Sequence, residues 1–167
     1  ALAACAVAWK FGISGETAAA ALAEFHGAGR RLEYKGSFHG ADVYDDYAHH
    51  PNELHALLQA VRLMHYRRVI CAFQPHTYSR TKALFQSFVD ELRTADQVVL
   101  ADIYAAREQN TVGVSSQELA AEIPGAVYCP SLQGVTAFLR ENAQPGDIIL
   151  TVGAGDIYKA GEALFTE

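Results

Sequence analysis

From about residue 41 onward the chain alternates short, uninterrupted apolar runs with longer stretches of helical periodicity, and this alternation limits the fold more than any other feature. The apolar runs are "RRVICAF", "DQVVLADIY", "GAVYCP" and "DIILTVGAG". Between the first of them and the chain before it, "PNELHALLQAVRLMH" puts Leu54, Leu57, Leu58 and Val61 on one helical face. One further helix, "SRTKALFQSFVDELR", starts at Ser79 and repeats the pattern with Leu84, Phe85, Phe88, Val89 and Leu92. Ser115 with Glu118 makes a capping-box pattern before another helix, one more runs from Ser131 through Leu139, and a last one follows the final strand. Strands that are apolar on both sides need cover on both faces. The expected fold is therefore α/β, a three-layer Rossmann-like doubly wound sheet that is mostly parallel. Upstream, "RLEYKGSF" and "ADVYDDY" flank His39-Gly40, where glycine accepts positive φ, so an N-terminal hairpin is expected to add one antiparallel edge strand.

Before that hairpin, "ALAACAVAWKFG" and "SGETAAAALAEF" read as two Ala-rich helices. Gly12 stops the first, and Ser14 caps the second with Glu16 and Thr17 in its first turn. "HGAGRR" then reads as a linker. The expected division is a helical remnant plus linker over residues 1–30 and a main domain over 31–167, and the opening inside an apolar stretch reads as a fragment. With half of its residues hydrophobic and 19% charged, the chain has the composition of a folded domain. Its net charge of −6 weighs against a nucleic-acid partner, which needs a basic surface, although local basic pockets stay open. Cys5, Cys71 and Cys129 are odd in number and contain no C-x-x-C pair, which fits a reducing, cytoplasmic setting better than a disulfide framework. No apolar run approaches the roughly 20 residues of a membrane span, and the N-terminal stretch lacks the basic start and cleavage pattern of a signal peptide.

In an open parallel sheet, ligands bind beyond the carboxyl ends of the strands. That rule selects "DDYAHHP", "QPHTYSR", "DIYAAREQ" and "VGAGD", the loops richest in His, Arg, Tyr and Gly. In the first, Pro51 and Glu53 suit a helix start, which leaves Asp45, Asp46, Tyr47 and His49 without a capping explanation. A metal site on His50, Glu53 and His55 is not expected, because their spacing matches neither H-E-x-x-H nor H-x-x-E-H. In the second, a helix start offers free amides to an anion, and Arg80 adds a planar fork suited to a carboxylate or phosphate. In the last, Gly153 and Gly155 would let backbone approach a ligand closely. No G-x-x-x-x-G-K-[ST] is present, so any ATP chemistry must be shared with another part of a protein.

Taken in order and spacing, "GRRLE", "DDYAHHPNEL", "FQPHTYSRT" and "VGAGDIY" resemble the C-terminal domain of the Mur ligases over residues 30–167, with residues 1–29 similar to the last helices of that family's central ATPase domain. Within the family the likeness is greatest to the bacterial, cytoplasmic members that join L-alanine to UDP-N-acetylmuramate in peptidoglycan synthesis. The resemblance implies that ATP, with Mg²⁺ held mainly by the central domain, turns the lactyl carboxylate into an acyl phosphate that the amine of L-alanine attacks. The C-terminal domain would close over the chain's own N-terminal and central domains. Carried over by motif, Arg31 would reach the ATP phosphates and Asp46 the ribose. Tyr47, His49, His76 and Arg80, with Gly153 and Gly155, would form the substrate pocket. Thr77 stands where many members have a basic residue, so a phosphate contact is not carried there. Alternatives are a ligase of the same family that recycles murein tripeptide, or a free-standing ligand-binding module of this fold.

Overall fold

The computed structural model describes residues 1–25 and 27–166. Helices α1 (Leu2–Lys10) and α2 (Gly15–Ala23) come first, and Ser14 Oγ accepts from Thr17 N at 3.1 Å as a side-chain cap. Neither helix buries a residue. Strands β1 (Glu33–Phe38) and β2 (Ala41–Asp46) form the expected hairpin, with Phe38 opposite Ala41. His39 (φ 51°) shares the positive-φ region with Gly40 (φ 79°), the pattern of a type I′ turn, whose twist matches that of the flanking strands.

After the hairpin come α3 (Pro51–Arg62), β3 (Arg68–Phe73), α4 (Tyr78–Ala83), α5 (Phe85–Leu92) and β4 (Gln97–Leu100). Then follow α6 (Ser116–Ala121), β5 (Val127–Tyr128), α7 (Leu132–Asn142), β6 (Asp147–Val152), α8 (Tyr158–Glu162) and a 3-10 turn at Ala163–Phe165. The six strands lie in the order β1-β2-β6-β3-β4-β5, with only the β1–β2 pair antiparallel. The fold expectation therefore holds. One correction concerns the helix expected from Ser79. It begins at Tyr78 and is interrupted at Leu84, whose amide donates to Arg80 O and whose carbonyl accepts from Phe88 N, so the hydrogen bonding continues through the interruption. On either side of it Thr81 is fully buried with its hydroxyl donating to Thr77 O, while Phe88, Val89 and Leu92 join the core.

The sheet is covered on both sides. On one face Leu54, Leu57, Leu58 and Val61 of α3, Phe88 and Leu92 of α5 and Leu119 of α6 pack on Cys71, Phe73, Leu100 and Leu150. On the other, Val135 and Leu139 of α7 and Ile157 and Ala160 of α8 pack on Val43, Ile70, Ala72 and Ile149. Alternate residues of each strand serve alternate faces, which is why the runs are apolar without a break. At the amino ends of the parallel strands Asp147, fully buried, is held by Arg67 (2.9 Å) and Arg68 (2.7 Å). At the carboxyl ends the strands stop together and release four loops on one side. Among the described residues, no helix is long and apolar enough to cross a membrane.

Candidate functional site

The loop after β2 is shaped by α3 behind it. His50 is the N-cap, its Nδ1 accepting from Asn52 N at 3.2 Å, and Glu53 Oε2 accepts from the amides of His49 (2.9 Å) and His50 (3.2 Å). Burial pushes the Glu53 carboxyl up, but these amides and the neighbouring His49 and Arg31 outweigh it and leave the group below its usual range. Because α3 uses His50 and Glu53 for capping and His55 pairs with Glu91 at 2.9 Å, none of the three is free to join a metal site. Among the described residues no group of three His, Cys, Asp or Glu is placed to hold a metal.

Asp46 carries a structural duty at the same place. Its Oδ2 accepts from Leu32 N and its Oδ1 from Ala48 N, both at 2.8 Å, so it ties the linker to the loop. Asp46 and the exposed Arg31 both line a surface pocket of about 380 Å³ that also includes Leu32, Glu53 and Leu57.

A row of rings runs away from that pocket across the carboxyl ends of the strands. The Tyr47 ring is 5.4 Å from that of His49, His49 is 6.1 Å from His76, and His76 stacks on Tyr104 at 5.6 Å. Arg80, one turn into α4 from His76, brings Nη1 to 3.4 Å from His76 Nδ1 and, among the described residues, forms no ion pair. The two histidines are in opposite hydrogen-bonding states. Nδ1 of His49 lies 3.0 Å from Tyr47 O, a carbonyl that can only accept, and 3.4 Å from Glu53 Oε2, so Nδ1 carries a proton. Nδ1 of His76 faces a guanidinium that can only donate, so His76 presents Nε2–H. Burial first, then the charges of Arg80 and His49, push the His76 pKa below its ordinary 6.5 and keep it neutral.

At the start of α4, where the sequence suggested an amide open to an anion, the Ser79 amide is taken by a carboxylate of the chain itself. Glu108, from the loop after β4, accepts from Ser79 N (2.9 Å) and Ser79 Oγ (2.5 Å), and those bonds hold its carboxyl below the usual range. The glycine turn is packed in a similar way. A Cβ on Gly153 would stand 2.6 Å from Gln74 O, and one on Gly155 would run into Gln74 Oε1 and stand 2.7 Å from Tyr104 Cγ. These glycines admit neighbouring protein. Gln74 Oε1 also accepts from Asp156 N and Ile157 N, fixing the entry to α8. Cys71 is buried on β3 with its thiol pushed up to about 12 by desolvation, so it supplies no nucleophile.

Tyr47, His49, His76, Arg80 and the Gly153–Gly155 turn are thus brought together, while Arg31 and Asp46 sit at one margin. Sequence reasoning missed Gln74, Tyr104, Glu108 and Arg30. Gln74 and Tyr104 lay inside loops already singled out, but their importance comes from contacts with each other's loops, which no spacing reveals.

Residues 30–155 match the family model described as "Mur ligase, glutamate ligase domain". The chain belongs to the Mur ligase family. It is 48% identical over 168 residues to the UDP-N-acetylmuramate–L-alanine ligase of Agathobacter rectalis, covering 98% of this chain and 37% of that protein. It is 44% identical over 171 residues to the ligase of the same name from Caldanaerobacter subterraneus subsp. tengcongensis, covering 100% of this chain and 37% of that one. The crystal structure of UDP-N-acetylmuramate-alanine ligase from Thermotoga maritima superposes with a TM-score of 0.73 at 26% identity, covering 95% of this chain and 34% of that one. This Mur ligase chain therefore spans a little over a third of the length of the curated relatives it matches.

Proposed function

We propose that the chain is the C-terminal domain, with the last helices of the preceding domain, of an ATP-dependent ligase that joins L-alanine to UDP-N-acetylmuramate. The observation that carries this reading is the row Tyr47–His49–His76 with Arg80 beside it, at the carboxyl ends of the strands of a chain 48% identical to a ligase of that name. In the proposed reaction the lactyl carboxylate oxygen takes the γ-phosphoryl group of ATP and ADP departs. The amine of L-alanine then attacks the acyl carbon, inorganic phosphate leaves, and the new amide nitrogen loses a proton.

Arg80, a fork without a carboxylate partner among the described residues, suits the carboxylate of the amino acid. His49 Nε2 is suited to accept the proton from nitrogen, and His76 Nε2–H to donate to an oxygen of the acyl phosphate. Arg31 and Asp46, on the shared margin pocket, are assigned to the nucleotide's phosphates and ribose. Mg²⁺ would be held mainly by the central domain. Residues 1–30 are assigned to that central domain because α1 and α2 leave Leu2, Val7, Trp9 and Phe11 exposed, an apolar surface that calls for cover. A cytoplasmic setting goes with ATP and a UDP-sugar as substrates.

The test is phosphate release by the complete enzyme with ATP, Mg²⁺, UDP-N-acetylmuramate and each of several amino acids. Release that depends on L-alanine supports the proposal, whereas dependence on another amino acid or on a tripeptide overturns it. The 167-residue chain alone, lacking a P-loop, is expected to release no phosphate above a buffer blank.

A further inference from the structure

Arg30 sits in the linker with a left-handed φ of 56° and sends its side chain into the mouth of the sheet. Nε donates to Asp45 Oδ2 at 2.7 Å, Nη1 to Gly155 O at 3.1 Å and Nη2 to Gly153 O at 2.6 Å. The guanidinium carbon lies 5.0 Å from the centre of the Tyr47 ring and 4.8 Å from that of Tyr158. Its partner Asp45 is 1% exposed and is itself fixed, Oδ1 accepting from Thr151 Oγ1 at 2.8 Å. The backbone closes the same unit, because Arg30 O accepts from Tyr47 N at 2.8 Å and Arg30 N donates to Glu33 Oε2 at 2.6 Å. One residue thus touches the linker, the end of β2, the glycine turn and the first residue of α8.

The chemistry requires arginine. Two carbonyls two residues apart are met by the two ends of one planar fork while two phenol rings stand within cation–π distance of it. A lysine could keep the charge beside Asp45 but could not span the two carbonyls or stack. The adjacent Arg31 makes none of these hydrogen bonds and reaches the Tyr47 ring only at 5.9 Å.

We propose that Arg30 is a positioning residue for the ligase reaction, holding Tyr47 and the Gly153–Gly155 turn in the arrangement that receives the amino acid; this rests on the assignment of Tyr47 to the L-alanine pocket. Arg30 acts through these groups, with three of its five N–H donors already used within the chain. Small displacements of a substrate-holding group are costly in turnover and in binding alike.

Arg30→Lys decides it. In the complete enzyme the expected result is a fall in kcat/KM for L-alanine of about tenfold or more, with KM for L-alanine raised and KM for ATP within about twofold, the loss expected when charged hydrogen bonds are removed. A drop in kcat with both KM values unchanged would mean only fewer folded molecules and would overturn the inference. A second readout uses this chain alone. Amide hydrogen exchange at Gly153, which donates to Asp46 O, and at Tyr47, which donates to Arg30 O, is expected to speed up about tenfold or more relative to amides of β3. Unchanged exchange at both overturns the positioning role whatever the kinetics. Failure of the functional reading would appear separately, as a wild-type enzyme that does not respond to L-alanine.

Discussion

Arg80 and His76 show how neighbouring polar side chains set each other's state. Arg80 has no carboxylate among the described residues and leans on a neutral imidazole, so its fork remains available to an incoming carboxylate. In the complete enzyme Arg80→Lys is expected to lower kcat/KM for L-alanine well beyond twofold, because a point charge cannot reproduce two parallel hydrogen bonds. Steady-state kinetics with L-alanine varied at saturating ATP measures this, and a change within about twofold, ~0.4 kcal/mol, would remove Arg80 from the site. His76 leads to a prediction about pH. Its folded-state pKa lies below the ordinary 6.5, so between those two values the unfolded chain binds the extra proton. The contribution of His76 to stability is therefore complete above about pH 6.5 and is lost as the pH falls from there toward the folded value. His76→Gln should flatten that part of the stability curve, measured as Tm against pH, and parallel curves for the two proteins would contradict the assignment. The motifs drew attention to these two residues, but their hydrogen-bonding states were not legible. "GRR" presents two arginines to the reader, and only the fold distinguishes Arg30, tied to Asp45 and the glycine carbonyls, from the exposed Arg31.

Among elements, those with a local code were legible. The apolar faces of α3 and α5, the Ser115–Glu118 capping box and the His39-Gly40 turn all follow from neighbours within four residues, and the structure has them. What depends on distant chain was not legible. The interruption at Leu84 has no signature in its neighbours, and the pairing of Ser79 with Glu108 reflects a loop that arrives 29 residues later. The glycine turn after β6 is the sharpest case, since its sequence reads as a cradle for ligand while its Cβ directions are filled by Gln74 and Tyr104. Gly155→Ala is accordingly expected to destabilise the chain by about 1–3 kcal/mol, the usual cost of forcing a methyl group into packed surroundings. Urea unfolding of this chain would measure it. A midpoint equal to wild type would mean that Gln74 and Tyr104 yield without cost.

At the scale of the whole molecule the decisive feature is the place of β6. It is the last strand in the sequence, yet it pairs with both β2 and β3, and all six of its residues are buried. Asp45 and Thr151, joined across it, are 106 residues apart. Nothing in the sequence announces this, because apolar runs advertise strands without stating their order. Removing the chain from Asp147 onward should therefore leave β2 and β3 with bare inner edges and abolish cooperative unfolding. The check is near-UV circular dichroism through a urea titration, where a sigmoidal transition in the shortened chain would refute it. The same arrangement has a meaning in time. A ribosome adds roughly 5–20 residues each second, so β2 waits roughly 5–20 seconds and β3 roughly 4–15 seconds before their shared neighbour exists. The turn that Arg30 grips follows immediately after that neighbour. A nascent chain consequently cannot assemble the mouth of the sheet early: translation itself acts as the clock, and the gathered loops form only after β6 and the turn behind it have been made.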